Sequence, residues 1–181
     1  DISGVNIVGN EKNDSIGVLL EGWDNTLTNI RIADVFIGVW VKSAGNMLRN
    51  IHPLYTLDFT DYEHSCGFIV DEGRPDNWFD FCYSDQFSIG FLVNARVVMN
   101  NCFCFWYSPR EKYHIAIKSN KDFNAIVSNF AIGFCGDEAK NYVLESENDD
   151  GGGVIQNLIV SDINLIDDKA FEKYLAGKVV S

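Results

Sequence analysis

The chain has 181 residues, and its 26 acidic against 14 basic side chains give a formal net charge of −12. That length suits one domain that buries its own core, and 46% hydrophobic with 22% charged residues excludes global disorder. The acidic balance argues against nucleic acid and against an anionic membrane surface, and no apolar run approaches the roughly 20 residues of a membrane helix.

Five cysteines stand at 66, 82, 102, 104 and 135. No CxxC or Cys/His spacing is present, so no metal site is marked, and free thiols packed as small hydrophobes are expected. The first residue is Asp and no signal peptide is visible, which suggests a processed protein or a piece of a larger one.

Two ladders of repeats run along the chain. The first reads SIGVLLEG from Ser15, FIGVWVKS from Phe36, SCGFIVDE from Ser65, SIGFLVNA from Ser88, KYHIAIKS from Lys112 and AKNYVLES from Ala139. The second is centred on Asn29, Asn50, Asp80, Asn101, Asn129 and Asn157. In the first ladder Val18, Val39, Phe68, Phe91, Ile115 and Tyr142 form one apolar column, and Leu20, Val41, Val70, Val93, Ile117 and Leu144 form another. Apolar residues two apart share one strand face. Around the second ladder, inward positions fall at Leu27, Leu48, Trp78, Met99, Val127 and Ile155 before it. After it they fall at Ile30, Ile51, Phe81, Cys102, Phe130 and Leu158.

Coils of at least about 21 residues, each with three short strands and tight turns, predict an all-β right-handed parallel β-helix of six to seven coils, stacked about 4.8 Å apart. Asn suits a sharp bend because it tolerates left-handed backbone. The β-helix is assigned to residues 1–166. Residues 167–181, DDKAFEKYLAGKVVS, predict a short C-terminal helix cap, with Asp167 or Asp168 at its start and Gly177 at its end. The N-terminal end has no comparable cap, so further coils or another copy of the chain are expected to cover it.

The G-[VF]-x-[VIL]-[EDKN] repeat with its Asn ladder resembles the pectate-lyase-like β-helix superfamily, over residues 2 to 166. That group includes polysaccharide lyases, glycoside hydrolases and phage tailspikes. The resemblance implies that SIGVLLEG and its cognates form the first sheet, whose outer face holds a substrate groove walled by loops. It also implies an extracellular, cell-surface or virion-surface location. The companion motifs of a polygalacturonase are missing: no H-G occurs, and Arg110-Glu111-Lys112 lies in a loop.

Two loops are candidates for the groove walls: LYTLDFTDYEHS after Pro53, and WYSPREK from Trp106 to Lys112. On the first sheet, Leu19, Trp40, Ile69, Leu92, Ala116 and Val143 make an outward apolar stripe that needs cover by a loop, a partner or a sugar. The next outward column is Glu21, Lys42, Asp71, Asn94, Lys118 and Glu145, whose plain reading is a mixed-charge rim.

The functional reading takes Asp71 and Glu72 as catalytic carboxylates, helped by Asp58 and Asp61, because glycoside hydrolysis needs two carboxyl groups about 5 to 9.5 Å apart. Trp40, Trp106 and Tyr107 would be sugar platforms, and Lys42, Arg74, Arg110 and Lys118 would bind acidic sugars. The histidines are scattered, and His64 flanks the acidic loop. No cofactor is indicated. The acidic turn 147–153 has residue types that suit calcium, although a solvated turn explains it as well. The sequence therefore favours a polysaccharide-processing protein, hydrolase before lyase. Its alternative is a non-catalytic stalk or binding module whose apolar stripe is a subunit interface.

Overall fold

The computed structural model describes residues 1–10, 14–55, 62–107, 114–134, 141–148 and 150–161. In chain order its strands are β1 (Ile2–Ser3), β2 (Asn6–Val8), β3 (Ile16–Leu20), β4 (Thr26–Ala33), β5 (Ile37–Val41), β6 (Met47–Leu54), β7 (Cys66–Val70) and β8 (Asn77–Asp80). They continue with β9 (Tyr83–Asp85), β10 (Ile89–Val93), β11 (Val97–Asn100), β12 (Phe103–Phe105), β13 (His114–Asp122), β14 (Ile126–Gly133), β15 (Asn141–Asn148) and β16 (Val154–Ser161). A 3-10 turn, Tyr62–His64, precedes β7. Among the described residues no helix is long and apolar enough to cross a membrane. The expected cap at 167–181 lies outside the described residues.

The molecule is all-β, and every strand pairing among the described residues is parallel. One sheet runs β15-β13-β10-β7-β5-β3, taking one strand from each repeat. The other ladder is bent into two legs. In β4, β6, β14 and β16 the chain passes through the bend within one strand, and β8/β9 and β11/β12 divide there. The bend residue is left-handed in each repeat, with φ of 56 at Asn29, 53 at Asn50, 53 at Phe81, 53 at Asn101, 52 at Asn129 and 52 at Asn157.

The apolar periodicity explains the core. Leu27, Leu48, Phe79, Met99, Val127 and Ile155 point inward before the bend. Ile30, Ile51, Cys82, Cys102, Phe130 and Leu158 do so after it. Stacked neighbours interlock: the Phe68 and Phe91 rings lie 4.6 Å apart at 5°, while Phe79 meets both edge-on. Cys66, Cys82, Cys102 and Cys104 are buried free thiols. Burial pushes the Cys66 thiol up to about 12.

Two registers differ from the sequence expectation. In the first sheet Phe91 pairs with Ile117, and Ile117 with Leu144, so the inward column is Val18, Val39, Phe68, Phe91, Ile117 and Leu144. The last two repeats are thus displaced by two residues from the expected alignment. Strict alternation fails at one step, because Gly38 and Val39 both face inward. A Cβ on Gly38 would lie 2.4 Å from the Pro53 side chain across the core. Ala116 and Val143 occupy the corresponding place later on and are fully buried. The other difference is at the bend of the third repeat, which falls on Phe81 rather than Asp80. Phe79 is therefore buried and Trp78 faces out at 42% exposure.

Side-chain ladders tie the turns. On the outside, Asn50 donates to Asn29 at 2.8 Å and Asn157 to Asn129 at 3.1 Å. Phe81 interrupts this row, and Asn101 reaches Asp80 instead. A second ladder, unforeseen in the sequence, lies at the turn before the bent sheet. Asn25 Nδ2 donates to Asn46 Oδ1 at 3.0 Å, and Asn46 Nδ2 donates to Asn77 Oδ1 at 2.9 Å. Asn46 and Asn77 are fully buried, and their amides satisfy backbone that the turn takes out of the strand ladder.

Two stability experiments follow. A bulky residue in left-handed backbone costs about 1 kcal/mol relative to Asn, so Phe81→Asn is expected to raise Tm by about 2–4 °C in thermal unfolding. An unchanged or lower Tm would show that the ring's contacts outweigh the strain. Asn46→Ala removes the acceptor of the Asn25 backbone N–H and a donor to Asn77. It should lose roughly 1–3 kcal/mol in urea unfolding.

Candidate functional site

The outer face of the first sheet presents two columns. One is Ile16, Ile37, Cys66, Ile89, Ile115 and Tyr142; the other is Leu19, Trp40, Ile69, Leu92, Lys118 and Glu145. The corrected register changes the chemistry of this face. Ala116 and Val143, expected on an outward apolar stripe, are core residues. The stripe instead ends in Lys118 and Glu145, which pair at 2.6 Å. Cys66, Ile89 and Ile115 form a buried cluster separate from the main core, with Ile69, Leu92 and Tyr142 packed on it.

That cluster floors a cleft of about 470 Å³. Ile89, Ile115 and Tyr142 line its base, and Glu63, His64, Lys118 and Glu145 line its walls. The wall carrying Glu63 and His64 is fixed by hydrogen bonds. Ser65 donates from N and Oγ to the Tyr62 carbonyl at 2.9 and 2.7 Å, and its Oγ accepts from Ser88 N at 3.0 Å. Glu63 carried no sequence signal, because only the 3-10 turn sets it facing strands two repeats away.

The predicted residues separate into groups. Trp40 Nε1 donates to Asp71 Oδ1 at 2.7 Å, and Lys42 Nζ sits 4.2 Å over the Trp40 ring. Trp40, Lys42 and Asp71 thus form one cluster, with one indole face occupied by a cation. Glu72 points into solvent, 3.6 Å from Lys121. Arg74 is exposed, and its carbonyl accepts from Asn77 Nδ2 at 2.8 Å. Lys118 belongs to the cleft. Trp106 does not serve as a surface platform: it is 3% exposed, its ring stacks on His114 and Phe134, and its indole donates to the Phe87 carbonyl at 2.6 Å. Its large apolar surface closes the core at a corner. Tyr107, the next residue, is 59% exposed. Asp58, Asp61 and Arg110 lie outside the described residues, as does Asp149 of the acidic turn. Among the described residues no group of three or more His, Cys, Asp or Glu side chains is placed to hold a metal ion.

A second polar cluster, absent from the sequence reading, lies on the outer face of the leg after the bend. There His52 stacks on Tyr83 with ring centroids 4.3 Å apart at 4°. His52 Nε2 lies 3.5 Å from Asp85 Oδ2. Burial, then the adjoining Asp85 carboxylate, pushes the Tyr83 hydroxyl up to about 12.

Set against family models, curated proteins and solved structures, the chain matches none.

The Tyr83 environment is directly measurable. A raised tyrosine favours the folded state fully below the ordinary value of 10.0, and that contribution disappears as pH rises through about 12. The stability difference between the wild type and Tyr83→Phe should therefore shift against the wild type over that interval. A difference independent of pH would mean that neither burial nor Asp85 raises this phenol.

Proposed function

We propose that the chain winds as a right-handed parallel β-helix of the pectate-lyase-like kind and works on polysaccharide, with a glycan held in the cleft on the first sheet. Right-handedness follows the rule for crossovers between parallel strands. One strand from each of six repeats in the first sheet supports a reading of six to seven coils. The observation that carries the reading is the composition of the cleft, an apolar floor under a charged rim. A sugar ring presents C–H groups to such a floor and hydroxyls to such a rim.

The cleft also holds two carboxyl groups, Glu63 and Glu145, on separate elements. Hydrolysis of a glycosidic bond uses one carboxyl to protonate the leaving oxygen and the other to attack or to activate water. His64 stands beside Glu63, and Lys118 orients Glu145 through their 2.6 Å contact. Trp40, Lys42 and Asp71 lie on the same face and would extend the sugar track. The reading goes with a location outside the cell or at a cell or virion surface, and it invokes no cofactor.

A second reading is a rigid stalk or binding module of a tailspike or adhesin. Its support is the exposure of Leu19 at 44% and Ile16 at 36% on β3, an edge strand of this sheet. Such a patch suits contact with another chain.

Calorimetry and reducing-end release over a panel of neutral and acidic polysaccharides would test the proposal. Tyr142→Ala should weaken binding roughly tenfold. Glu63→Gln and Glu145→Gln should each lower turnover by roughly 100-fold or more with Tm retained. No binding and no turnover across the panel, with oligomers in light scattering, would overturn the enzyme reading in favour of the stalk.

A further inference from the structure

Phe81 is out of character with its row. The bend residue of the other repeats is Asn, and Phe81 takes the same left-handed backbone, with φ of 53. The inward placing of Phe79 needs a bend at residue 81, but an Asn there would make the same bend. The Phe81 ring is 46% exposed, so core packing does not account for a bulky side chain in strained backbone. Strain of this kind gathers at ligand sites, and Phe81 stands at one end of a groove.

That groove, of about 430 Å³, follows the outside of the bend. Register builds its two sides. One is the apolar row Phe103, Ala131 and Ile159, paired in that order across β12, β14 and β16. The other is the carboxamide row Asn101, Asn129 and Asn157. Each of these amides donates once along the bend: Asn101 to Asp80 at 3.3 Å, Asn129 to Asn100 at 3.1 Å and Asn157 to Asn129 at 3.1 Å. A carboxamide has two N–H donors and an oxygen with two lone pairs, so the row keeps hydrogen-bonding capacity beside the apolar one. The Phe103 ring is set by an edge-on contact with Tyr83 at 6.2 Å and by stacking on Phe105 at 6.4 Å.

These features narrow the occupant. The volume lies within the range of sites for single small molecules, roughly 300–1,000 Å³. Phe81 divides the groove from a polar recess at Thr28, Arg49 and Asn50. Among the described residues no ionisable side chain lines the groove, so a charged ligand would lose water without meeting a counter-charge. The net charge of −12 disfavours anions further. A saccharide would set hydroxyls along an apolar row that offers them no hydrogen bond. Two phenyl rings, Phe81 and Phe103, offer edge and face contacts to another aromatic ring. An aromatic body with a hydroxyl, amino or carbonyl group matches both rows.

We propose that this groove binds a small neutral aromatic compound, its ring set against Phe81 and Phe103 and its polar group hydrogen-bonded to the row of Asn101, Asn129 and Asn157. The groove lies on the bent sheet and does not depend on the saccharide reading.

A matched pair of fluorescent probes tests it on the full chain. Phenylnaphthylamine is neutral and carries an N–H; anilinonaphthalenesulfonate has the same rings and an anionic group. The neutral probe should bind saturably and roughly tenfold or more tighter than the sulfonate. Phe81→Asn should weaken the neutral probe by about fivefold. Ile159→Lys, at a position 57% exposed, should weaken the neutral probe and tighten the sulfonate. Tyr142→Ala, in the first-sheet cleft, should change neither affinity. No saturable binding of the neutral probe, equal binding of both probes by the wild type, or an affinity untouched by both Phe81→Asn and Ile159→Lys would each overturn the proposal. Loss of the probe in Tyr142→Ala would assign it to the first-sheet cleft instead, and its displacement by a neutral oligosaccharide from Tyr142→Ala would assign the groove to glycan. Oligomers in light scattering that Ile159→Lys disperses, with no probe bound, would assign the apolar row to a second copy of the chain. Each of these three outcomes likewise overturns the proposal.

Discussion

Parallel strands pair only if the chain comes back to the same height after each repeat, and the bend inside β4, β6, β14 and β16 is what makes that return short. A single left-handed residue turns the chain there without breaking the strand. The backbone groups on either side then continue into the neighbouring repeat. Side-chain amides stacked at two of the turns take over where the backbone ladder is interrupted. One ladder is exposed, and the other runs from the half-buried Asn25 to the buried Asn46 and Asn77, where water cannot substitute for it.

Once height is set, register decides which chemistry faces outward. The first sheet shows how small the margin is. Moving the fifth and sixth repeats by two residues replaces an outward Ala116 and Val143 with an outward Lys118 and Glu145, and turns an apolar stripe into a cleft with a charged end. The displacement follows from packing. Residues of the Gly38 column approach the opposite wall closely in the first four repeats, and the last two fill the same column with Ala116 and Val143, both fully buried. In the third repeat the bend on Phe81 puts Phe79 into the aromatic stack with Phe68 and Phe91. The stack gains a large ring, and a strained left-handed Phe is the cost of it.

The two polar clusters differ in how they are held. The first-sheet cleft has its charges at the rim, with Lys118 and Glu145 paired and Glu63 and His64 fixed by the Ser65 hydrogen bonds. It is preorganised but open, which suits a ligand with many hydroxyls. Asp85 is a buried carboxylate beside His52 and Tyr83, a setting where water screens little and a single charge has large effects. These clusters occupy different sheets and share no residue, so substitutions in one are expected to act independently of the other.

Apolar columns, turn residues and repeat lengths determined the all-β parallel architecture, since burial at period two and left-handed bends are local requirements readable one repeat at a time. The burial of most core residues, from Leu27 to Leu158, was legible for the same reason, and so was the outward placing of Trp40, Lys42, Asp71 and Glu72. Trp106 was not, because a Trp beside a loop looks alike in sequence whether it caps the core or faces water. Glu63 and Asp85 were not either. Each matters only through residues one or two repeats away, and which repeats align was settled by the fit of Ala116 and Phe79 in the core, a property of the packed whole rather than of any segment.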